Sequence, residues 1–368
     1  MPRASSVPMR SVRVFAALGT ALLIPLLLGT RIDAGDQAVM FTLADSALPS
    51  GVGANGSMVV GGFRAPGSFY WMPTTGVIFA GGLNAAAVSR DGKTIIGTAL
   101  DDRRVTQAAI WQRAAEWKLL GSVVPNALPC DSSLSSSSGA SADGKVIVGL
   151  AWNGCNFARA FRWEESTGMV DLGSTVAGRS SRANGVSGDG RVVVGFQEHA
   201  LGYRQGARWV DGRQTIFTGP AEIVGEAHGA TTNGSTIVGQ SCRFGDGTDQ
   251  SAWSWTAAGG VVCLPPPRFM LPIGRIGAAY AISDDGRVIG GAQTFGLESE
   301  SVIWIDRTPY YLKDYLRARG VPNAFEGWVN TGFVTGMSRD GRVLVGYGAG
   351  PRDFTGYVVI LPPLGDAQ

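Results

Sequence analysis

The residues that could carry out acid–base chemistry are few and scattered in this 368-residue chain. Only two histidines occur, His199 and His228, which is too few for a three-histidine zinc site. Glycoside hydrolysis needs two carboxyl groups about 5–10 Å apart, and the glutamates that could converge are Glu198, Glu226, Glu298 and Glu300. No G-x-S-x-G nucleophile motif is present. The sequence therefore favours a non-catalytic protein, and a glycosidase or lyase that uses converging carboxylates is the alternative.

Metal binding has equally little support in the sequence. Asp246 and Asp249 lie in one short segment, but two carboxylates without further acidic ligands are a weak basis for a calcium site. The many Asp-Gly pairs have no D-x-D-x-D spacing, and turn formation explains them more simply. We expect neither a bound metal nor a cofactor.

Ligand recognition is better supported, because aromatic and polar side chains occur together in three short segments at residues 152–157, 198–203 and 243–249. Aromatic rings provide contact area, and polar groups provide directional hydrogen bonds. The candidate binding residues are Trp152, Asn153, His199, Tyr203, Arg243 and Asp246, and two further tryptophans that could stack on sugars are Trp253 and Trp328.

The four cysteines are candidates for disulfide bonds, because an even number of cysteines in an exported chain favours bridges. Three pairings are possible. The most local one joins Cys130 to Cys155 and Cys242 to Cys263, and we predict that pairing. Free buried cysteines are the alternative.

The segments that must position these residues belong to a sequence repeat. An Asp or Asn followed by Gly occurs seven times in register, and the turn glycines are Gly56, Gly92, Gly144, Gly190, Gly234, Gly286 and Gly341. Asp-Gly and Asn-Gly pairs favour tight two-residue turns between antiparallel strands. In every copy a second glycine stands six places after the Asp or Asn, and it suggests a bulge or a close backbone approach. In five copies a serine stands two places before it.

Each turn is followed by a short β-branched run, then in most copies by a tryptophan in an alternating segment, and then by a further apolar segment. These features predict four strands in a unit of about 40–50 residues, which is the size of a β-propeller blade. The fold class that we predict is all-β: a single seven-bladed β-propeller of four-stranded blades.

The two ends of the chain predict how the ring closes. Residues 37–45 resemble the outer strand of a unit but precede the first turn, and the seventh unit stops without a fourth strand. We predict that this N-terminal strand completes the seventh unit, which removes the exposed edges of an open repeat. An open β-solenoid of the same repeats is the alternative.

The third unit has the best-defined second half, because residues 160–173 read Ala-Phe-Arg-Trp-Glu-Glu-Ser-Thr-Gly-Met-Val-Asp-Leu-Gly. This segment resembles the HAF family of bacterial extracellular repeats, which carries Ala-Phe-x-Trp and then Gly-Met-x-Asp-Leu-Gly. The other units match more weakly; Ala207-Arg208-Trp209, for example, lacks the phenylalanine. The resemblance implies a secreted or surface protein and no catalytic residues.

The N-terminal region predicts export. Three arginines precede an apolar run at residues 14–28, and small or polar residues follow, which is the layout of a secretory signal peptide. The run is shorter than the roughly 20 residues of a membrane span. We expect residues 1–34 to be the signal and residues 35–364 to form the propeller in the periplasm, on the cell surface or in the medium, with no membrane span after the signal is removed.

The function that we predict from the sequence is binding or scaffolding. The Asp-Gly turns would lie on one face of the propeller and the variable segments on the opposite face, where loops on a rigid scaffold bind ligands. The expected partner is a polysaccharide or another surface protein. The net charge of +2 gives no reason to expect nucleic-acid binding, and we expect a monomer.

Overall fold

The computed structural model describes residues 37–112, 116–219, 224–243, 250–267 and 275–364, with only the backbone of Arg243. The predicted signal at residues 1–34 and the candidate residue Asp246 lie outside the described residues. Within them the chain is all-β, and its one α-helix, α1, is the seven-residue segment Leu312–Ala318.

The strands follow one another in the order of the predicted repeats, after an initial strand β1 (Val39–Asp45). Unit 1 contains β2 (Ala47–Val52), β3 (Val59–Phe63), β4 (Ser68–Met72) and β5 (Gly76–Gly81). Unit 2 contains β6 (Asn84–Val88), β7 (Thr94–Leu100), β8 (Thr106–Gln112) and β9 (Lys118–Leu119). Unit 3 contains β10 (Ser135–Ala140), β11 (Ile147–Trp152), β12 (Ala158–Glu164) and β13 (Gly168–Asp171).

The second half of the chain continues the series. Unit 4 contains β14 (Ser181–Val186), β15 (Val192–Glu198), β16 (Arg204–Val210) and β17 (Arg213–Ile216). Unit 5 contains β18 (Ala227–Ala230), β19 (Thr236–Arg243), β20 (Gln250–Thr256) and β21 (Gly260–Cys263). Unit 6 contains β22 (Arg275–Ile282), β23 (Val288–Phe295), β24 (Glu298–Ile305) and β25 (Thr308–Tyr311), and α1 follows it. Unit 7 contains β26 (Asn330–Met337), β27 (Val343–Ala349) and β28 (Phe354–Ile360).

Within each unit, consecutive strands pair antiparallel, which confirms the predicted four-stranded sheets of units 1 to 6. Units 5 and 6 are also joined to each other by two single-residue pairings, Gln240 with Ala278 and Gln250 with Ile276. Unit 7 has three strands of its own, and β1 pairs antiparallel with β28 from Val39 opposite Ile360 to Asp45 opposite Thr355. The first strand of the chain therefore occupies the fourth place in the last sheet.

The repeated Asp-Gly turn is longer than the two-residue turn that the sequence suggests. In unit 4 the closing hydrogen bond runs from the Ser187 amide to the Val192 carbonyl (2.8 Å), so four residues lie between the strands. Only Gly190 has a positive φ, of 77°. The Asp189 carboxylate accepts hydrogen bonds from the Ser187 hydroxyl (2.5 Å) and the Arg191 amide (3.0 Å). The hydroxyl of Ser187 in turn accepts from the Val192 amide (2.9 Å).

This network explains why a serine precedes the Asp, which the sequence alone left without a role. The serine and the carboxylate satisfy backbone N–H groups that a four-residue loop would otherwise leave unpaired. The same serine–aspartate hydrogen bond recurs at Ser89–Asp91, Ser141–Asp143, Ser283–Asp285 and Ser338–Asp340, and as Thr231–Asn233 in unit 5.

The second glycine of the repeat lies at a β-bulge, as its position suggested. In unit 4, Gly195 pairs with Ala183, and the register then shifts so that Asn184 is an extra residue on the inner strand. A Cβ atom on Gly195 would lie 2.0 Å from the carbonyl oxygen of Arg182, closer than any non-bonded contact allows. Only glycine therefore permits this approach of the two backbones.

The bulge recurs opposite the second glycine of every unit, with register shifts at the same place in all seven inner pairs of strands. The extra residues at the bulges are Ser50, Ala86, Ser138, Asn184, His228, Tyr280 and Thr335. Each unit therefore has one residue, at an equivalent position, that has no partner residue in the neighbouring strand.

The hydrophobic core lies between consecutive units rather than at one centre. The tryptophan of the third strand contributes in this way: Trp209 is buried, and its indole N–H donates to the Leu172 carbonyl of the preceding unit (3.0 Å). Trp304 donates likewise to Pro265 of unit 5 (2.7 Å). The interpretation of the repeated tryptophans as core is confirmed for these two. Trp253 is also fully buried, so its candidacy for sugar stacking was wrong.

The two disulfide bonds confirm the predicted pairing of Cys130 with Cys155 and Cys242 with Cys263. The first ties the segment before β10 to the β11–β12 hairpin loop. The second links β19 to β21, the two strands that flank β20. Such bridges are stable in oxidising compartments, which indicates an extracytoplasmic protein. In the described residues, no helix has the length and apolar character needed to cross a membrane.

We expect Gly195→Ala to lower the free energy of unfolding by about 2 kcal/mol or more, because a new methyl group would be forced against a backbone carbonyl that belongs to the sheet. Gly53→Ala is the matched control, because its Cβ would meet nothing closer than 3.6 Å, and we expect a change within about 0.5 kcal/mol. Urea unfolding of both variants measures the two values. Equal losses would contradict the role given to the bulge.

Candidate functional site

A central cavity of about 260 Å³ is bounded by the inner strands of all seven units. The strands that line it are β2, β6, β10, β14, β18, β22 and β26. The extra residue of every bulge is among the lining residues. The bulges therefore direct one side chain per unit toward the middle of the molecule.

In four units this side chain ties neighbouring units together. It donates a hydrogen bond to the carbonyl that precedes the bulge of the next unit, at 2.5–3.0 Å: Ser50 to Ala85, Ser138 to Ala183, Asn184 to Ala227 and Thr335 to Pro49. At these positions the bulge residue has a structural function, because it satisfies a carbonyl at the inner edge of a sheet.

His228 and Tyr280 depart from this pattern. Their rings meet edge to face with centroids 4.9 Å apart. The Nε2 atom of His228 is buried and has no hydrogen-bond partner among the described residues. Burial raises the pKa of Tyr280 to about 12, so its hydroxyl stays protonated. A buried polar atom without a partner beside a cavity marks a place where a ligand or a water molecule can bind.

Charged side chains lie next to His228 on units 4 and 5. Glu226 is buried, and its carboxylate accepts a hydrogen bond from the Arg204 guanidinium (2.5 Å) and another from the Asn184 amide (3.0 Å). The Nε atom of Arg182 is buried and has no partner among the described residues. We call Arg182, Asn184, Arg204, Glu226 and His228 the channel cluster.

The electrostatics of the channel cluster follow from burial. Burial lowers the pKa of His228, and the nearby Glu226 carboxylate and Gln240 side chain offset this only in part. Burial also lowers the pKa of Arg182, which Glu226 opposes and Arg204 reinforces. With a neutral His228, the cluster holds two guanidinium groups and one carboxylate, so it has one positive charge in excess.

A line of aromatic rings leads from the cavity toward the surface. From Tyr280 the centroid distances are 6.3 Å to Phe333, 5.5 Å from there to Tyr347 and 6.4 Å on to Phe354. Phe354 is 41% exposed and begins β28, at the end of the sheet away from the Asp-Gly turns. We call Tyr280, Phe333, Tyr347 and Phe354 the aromatic arc.

The mouth of the cavity on the Asp-Gly turn side is crossed by one arginine. Arg339 of unit 7 pairs with Asp284 of unit 6 (3.1 Å), whose carboxylate also accepts from the Thr232 amide of unit 5 (3.0 Å). The same guanidinium lies against Gly188 of unit 4, where a Cβ atom would come within 2.0 Å of it. The side chain of Arg339 therefore spans this mouth between units 4, 6 and 7.

The structure places the sequence-predicted binding residues in separate loops. His199 and Tyr203 stack with centroids 4.4 Å apart in the β15–β16 hairpin. Trp152 is the last residue of β11, and Asn153 follows it in the β11–β12 hairpin loop of unit 3. No hydrogen bond, ion pair or ring contact in the described part of the chain joins the two pairs. Arg243 ends β19, and its side chain lies outside the description together with Asp246.

The glutamates proposed for catalysis are held by separate partners. Glu226 belongs to the channel cluster, Glu300 accepts from both the amide and the hydroxyl of Thr331, and Glu198 accepts from the Ser180 amide. Glu298 is exposed at the start of β24. Each of the first three carboxylates has a structural explanation of its own.

From the sequence, His228 and Glu226 were named, but Arg182, Asn184, Arg204 and Tyr280 were missed as site residues. A signal for one of the missed residues, Tyr280, was present. When the seven units are aligned on the repeated serine, the residue three places before it is the bulge residue, and in that column His228 and Tyr280 stand out among small or amide side chains.

Comparison with known proteins bears on the fold. No protein-family model and no curated protein matches the chain. Among solved structures, the β-propeller domain of the Trilobed protease from Pyrococcus furiosus is similar at a TM-score of 0.56 and 12% identity, over 86% of this chain and 96% of that one. That domain has an open velcro topology. The likeness shows that the fold is a β-propeller.

Two TolB structures are less similar. TolB from Acinetobacter baumannii gives a TM-score of 0.43 at 13% identity, over 74% of this chain and 63% of that one. The putative TolB from Agrobacterium tumefaciens gives 0.40 at 13% identity, over 62% of this chain and 88% of that one. This chain therefore spans less than two thirds of the Acinetobacter protein.

The lowered pKa of His228 predicts a pH dependence of stability. The pKa of histidine in an unfolded chain is about 6.5. Below that pH the unfolded chain binds a proton at this residue that the folded protein does not bind. The free energy of unfolding therefore falls as the pH drops, by at most about 1.4 kcal/mol per pH unit. We expect His228→Gln to lose this component. Unfolding free energies of both proteins between pH 7.5 and 5 give the difference, and parallel curves would contradict the assignment.

Proposed function

We propose that this chain is an exported, non-catalytic binding protein whose ligand is a polysaccharide that enters the propeller from the face opposite the Asp-Gly turns. The observation that carries the proposal is the aromatic arc, which runs from the rim at Phe354 to His228 and the channel cluster. Saccharide sites combine rings that cover the apolar faces of sugars with a few fixed polar groups, and the arc and the cluster supply these two components in sequence.

The direction of approach is supported by the two ends of the cavity. Arg339 and its partners occupy the mouth on the turn side. On the other side, the pair formed by His199 and Tyr203 lies immediately before Arg204 in the chain, and Arg204 reaches Glu226. The predicted binding loop of unit 4 is thus continuous in the chain with the channel cluster, which supports an approach from the loop side.

For the architecture we propose one seven-bladed propeller at residues 35–364, closed by β1 in the seventh blade. The supporting contacts join unit 7 to unit 1: Thr335 donates to Pro49, and Val345 and Ile360 pack in one cluster with Val59. The pairing of β1 with β28 lies beside them. This closed arrangement differs from the open velcro topology of the similar protease domain.

For the location we propose the periplasm, the cell surface or the medium of a bacterium, reached through a signal peptide at residues 1–34, with the repeats belonging to the HAF type. The two disulfides and the layout of the N-terminal sequence support export. We propose a monomer.

The closure has a direct test in the mature protein. Deleting residues 35–46 removes β1, and we expect the cooperative unfolding transition to be lost or its midpoint to fall by more than 10 °C, since the sheet of unit 7 is left with an open edge. A synthetic peptide of residues 37–46 should restore part of the midpoint. An unchanged melting curve would favour the open solenoid.

The binding function is tested by a glycan array run beside a hydrolase panel. We expect Phe333→Ala and Tyr347→Ala to weaken the binding of a captured glycan at least tenfold, because each removes a ring of the arc. The control is Phe79→Ala, which removes an aromatic ring that is 66% exposed on an outer strand and should leave binding within twofold. Turnover that depends on one glutamate would overturn the proposal in favour of a glycosidase or lyase. Protein capture without glycan binding would favour a surface-protein partner.

A further inference from the structure

We propose that the polysaccharide is acidic, and that the channel cluster binds a sugar carboxylate between Arg182 and His228. The inference rests on the proposed glycan-binding function and names the class of its ligand. Its basis is the distribution of hydrogen bonds within the cluster.

Each oxygen of the carboxylate that the cluster already contains accepts a hydrogen bond from another side chain. One oxygen of Glu226 accepts from Arg204 at 2.5 Å, and the other accepts from Asn184 at 3.0 Å. Asn184 also donates to the Ala227 carbonyl, so both of its bonds fix it to unit 5. Glu226 is therefore positioned as the partner of Arg204, and it leaves Arg182 without a hydrogen-bonded anion.

Arg182 differs from the other partly buried arginines near the inner strands, Arg208 and Arg339. Arg208, in the same unit, also has a buried Nε atom without a partner, but its guanidinium lies over the Trp255 ring at 4.2 Å. Arg339 is paired with Asp284. In the described part of the chain, Arg182 has neither an ion pair nor a ring contact. The Glu226 carboxylate attracts the Arg182 guanidinium but accepts its hydrogen bonds from Arg204 and Asn184. A ligand anion would supply the hydrogen-bonded partner that Arg182 lacks.

His228 supplies the second donor. It is neutral in the free protein, and its Nε2 atom has no partner in the described structure, so in the Nε2–H tautomer it can donate one hydrogen bond to a ligand oxygen. A planar carboxylate can accept from a guanidinium and an imidazole at the same time. The excess positive charge of the cluster matches the single negative charge of one uronic or sialic acid residue.

The aromatic arc limits the source of the carboxylate to a sugar chain. The ring of Tyr280 contacts His228 directly, and the next ring of the arc, Phe333, lies 6.3 Å from Tyr280, so a group bound at His228 has aromatic rings beside it. Successive pyranose rings can lie along such a path with one terminal carboxylate in the cluster. An acidic peptide would fill the cluster but would not need the arc, and the experiment separates these cases.

The test compares acidic glycans with partners that differ only in charge: trigalacturonate and its methyl ester, and sialyllactose and its carboxyl-reduced form. With the mature protein, titration calorimetry should give at least tenfold tighter binding of the acidic member of one pair. Arg182→Gln should reduce that ratio to below threefold. Arg208→Gln, which removes the same charge from the same unit, should leave it within twofold of the original.

The outcomes distinguish the inference from the function on which it rests. If both members of every pair bind equally, or if only neutral glycans bind on the array, the acidic-ligand inference is wrong and glycan binding stands. If no glycan binds, the proposed function fails and the inference fails with it. If an acidic peptide binds and depends on Arg182 but not on Tyr347, the site is an anion site for protein ligands. The first comparison needs no variant, so a folding defect in Arg182→Gln does not remove the test.

Discussion

The close approach of two backbones at the second glycine of each repeat is the constraint on which the rest of the molecule depends. At Gly195, as at its six equivalents, the neighbouring strand passes so near that no side chain fits. The bulge beside it inserts one residue into the inner strand and redirects that residue into the cavity. The same local geometry therefore fixes the register of the sheet and selects the side chain that faces the centre.

Because of this constraint, the bulge position joins neighbouring units in some repeats and carries an aromatic ring that lines the cavity in others. Where the bulge residue is Ser50, Ser138 or Thr335, its hydroxyl joins the next unit and the inner strands are fastened to each other. Where it is His228 or Tyr280, the hydrogen bond to the next unit is absent from the described structure, and an aromatic ring lines the cavity instead. Functional sites commonly break a local rule that the remainder of the fold obeys. Unit 2 also lacks the bond, because its bulge residue is Ala86, but aromatic rings take this position only in units 5 and 6.

Much of the fold could be predicted from the sequence, because the features that specify it are local and repeated. The four-stranded units, the β1 segment as a strand and both disulfides follow from turn residues, alternation and spacing. The length of the turn could not be predicted in the same way. Asp-Gly pairs occur in several types of loop, and the four-residue loop found here depends on the hydrogen bonds of Ser187. The candidate site was harder still. Arg182 and Glu226 are far apart in the chain, and only the packing of two units makes them neighbours. Trp253 looked like a surface residue because its burial depends on unit 4.

The arginine that crosses the turn-side mouth also has an evolutionary consequence. Repeat proteins change length by duplication or loss of whole units, and most contacts between neighbours would survive such a change. Arg339 contacts Gly188, however, and these two residues belong to units that are not consecutive. An arginine side chain has a limited reach, so inserting or losing a unit between units 4 and 7 would disturb this contact unless the inner strands rearranged. The contact therefore couples the spacing of non-consecutive units to the reach of one side chain.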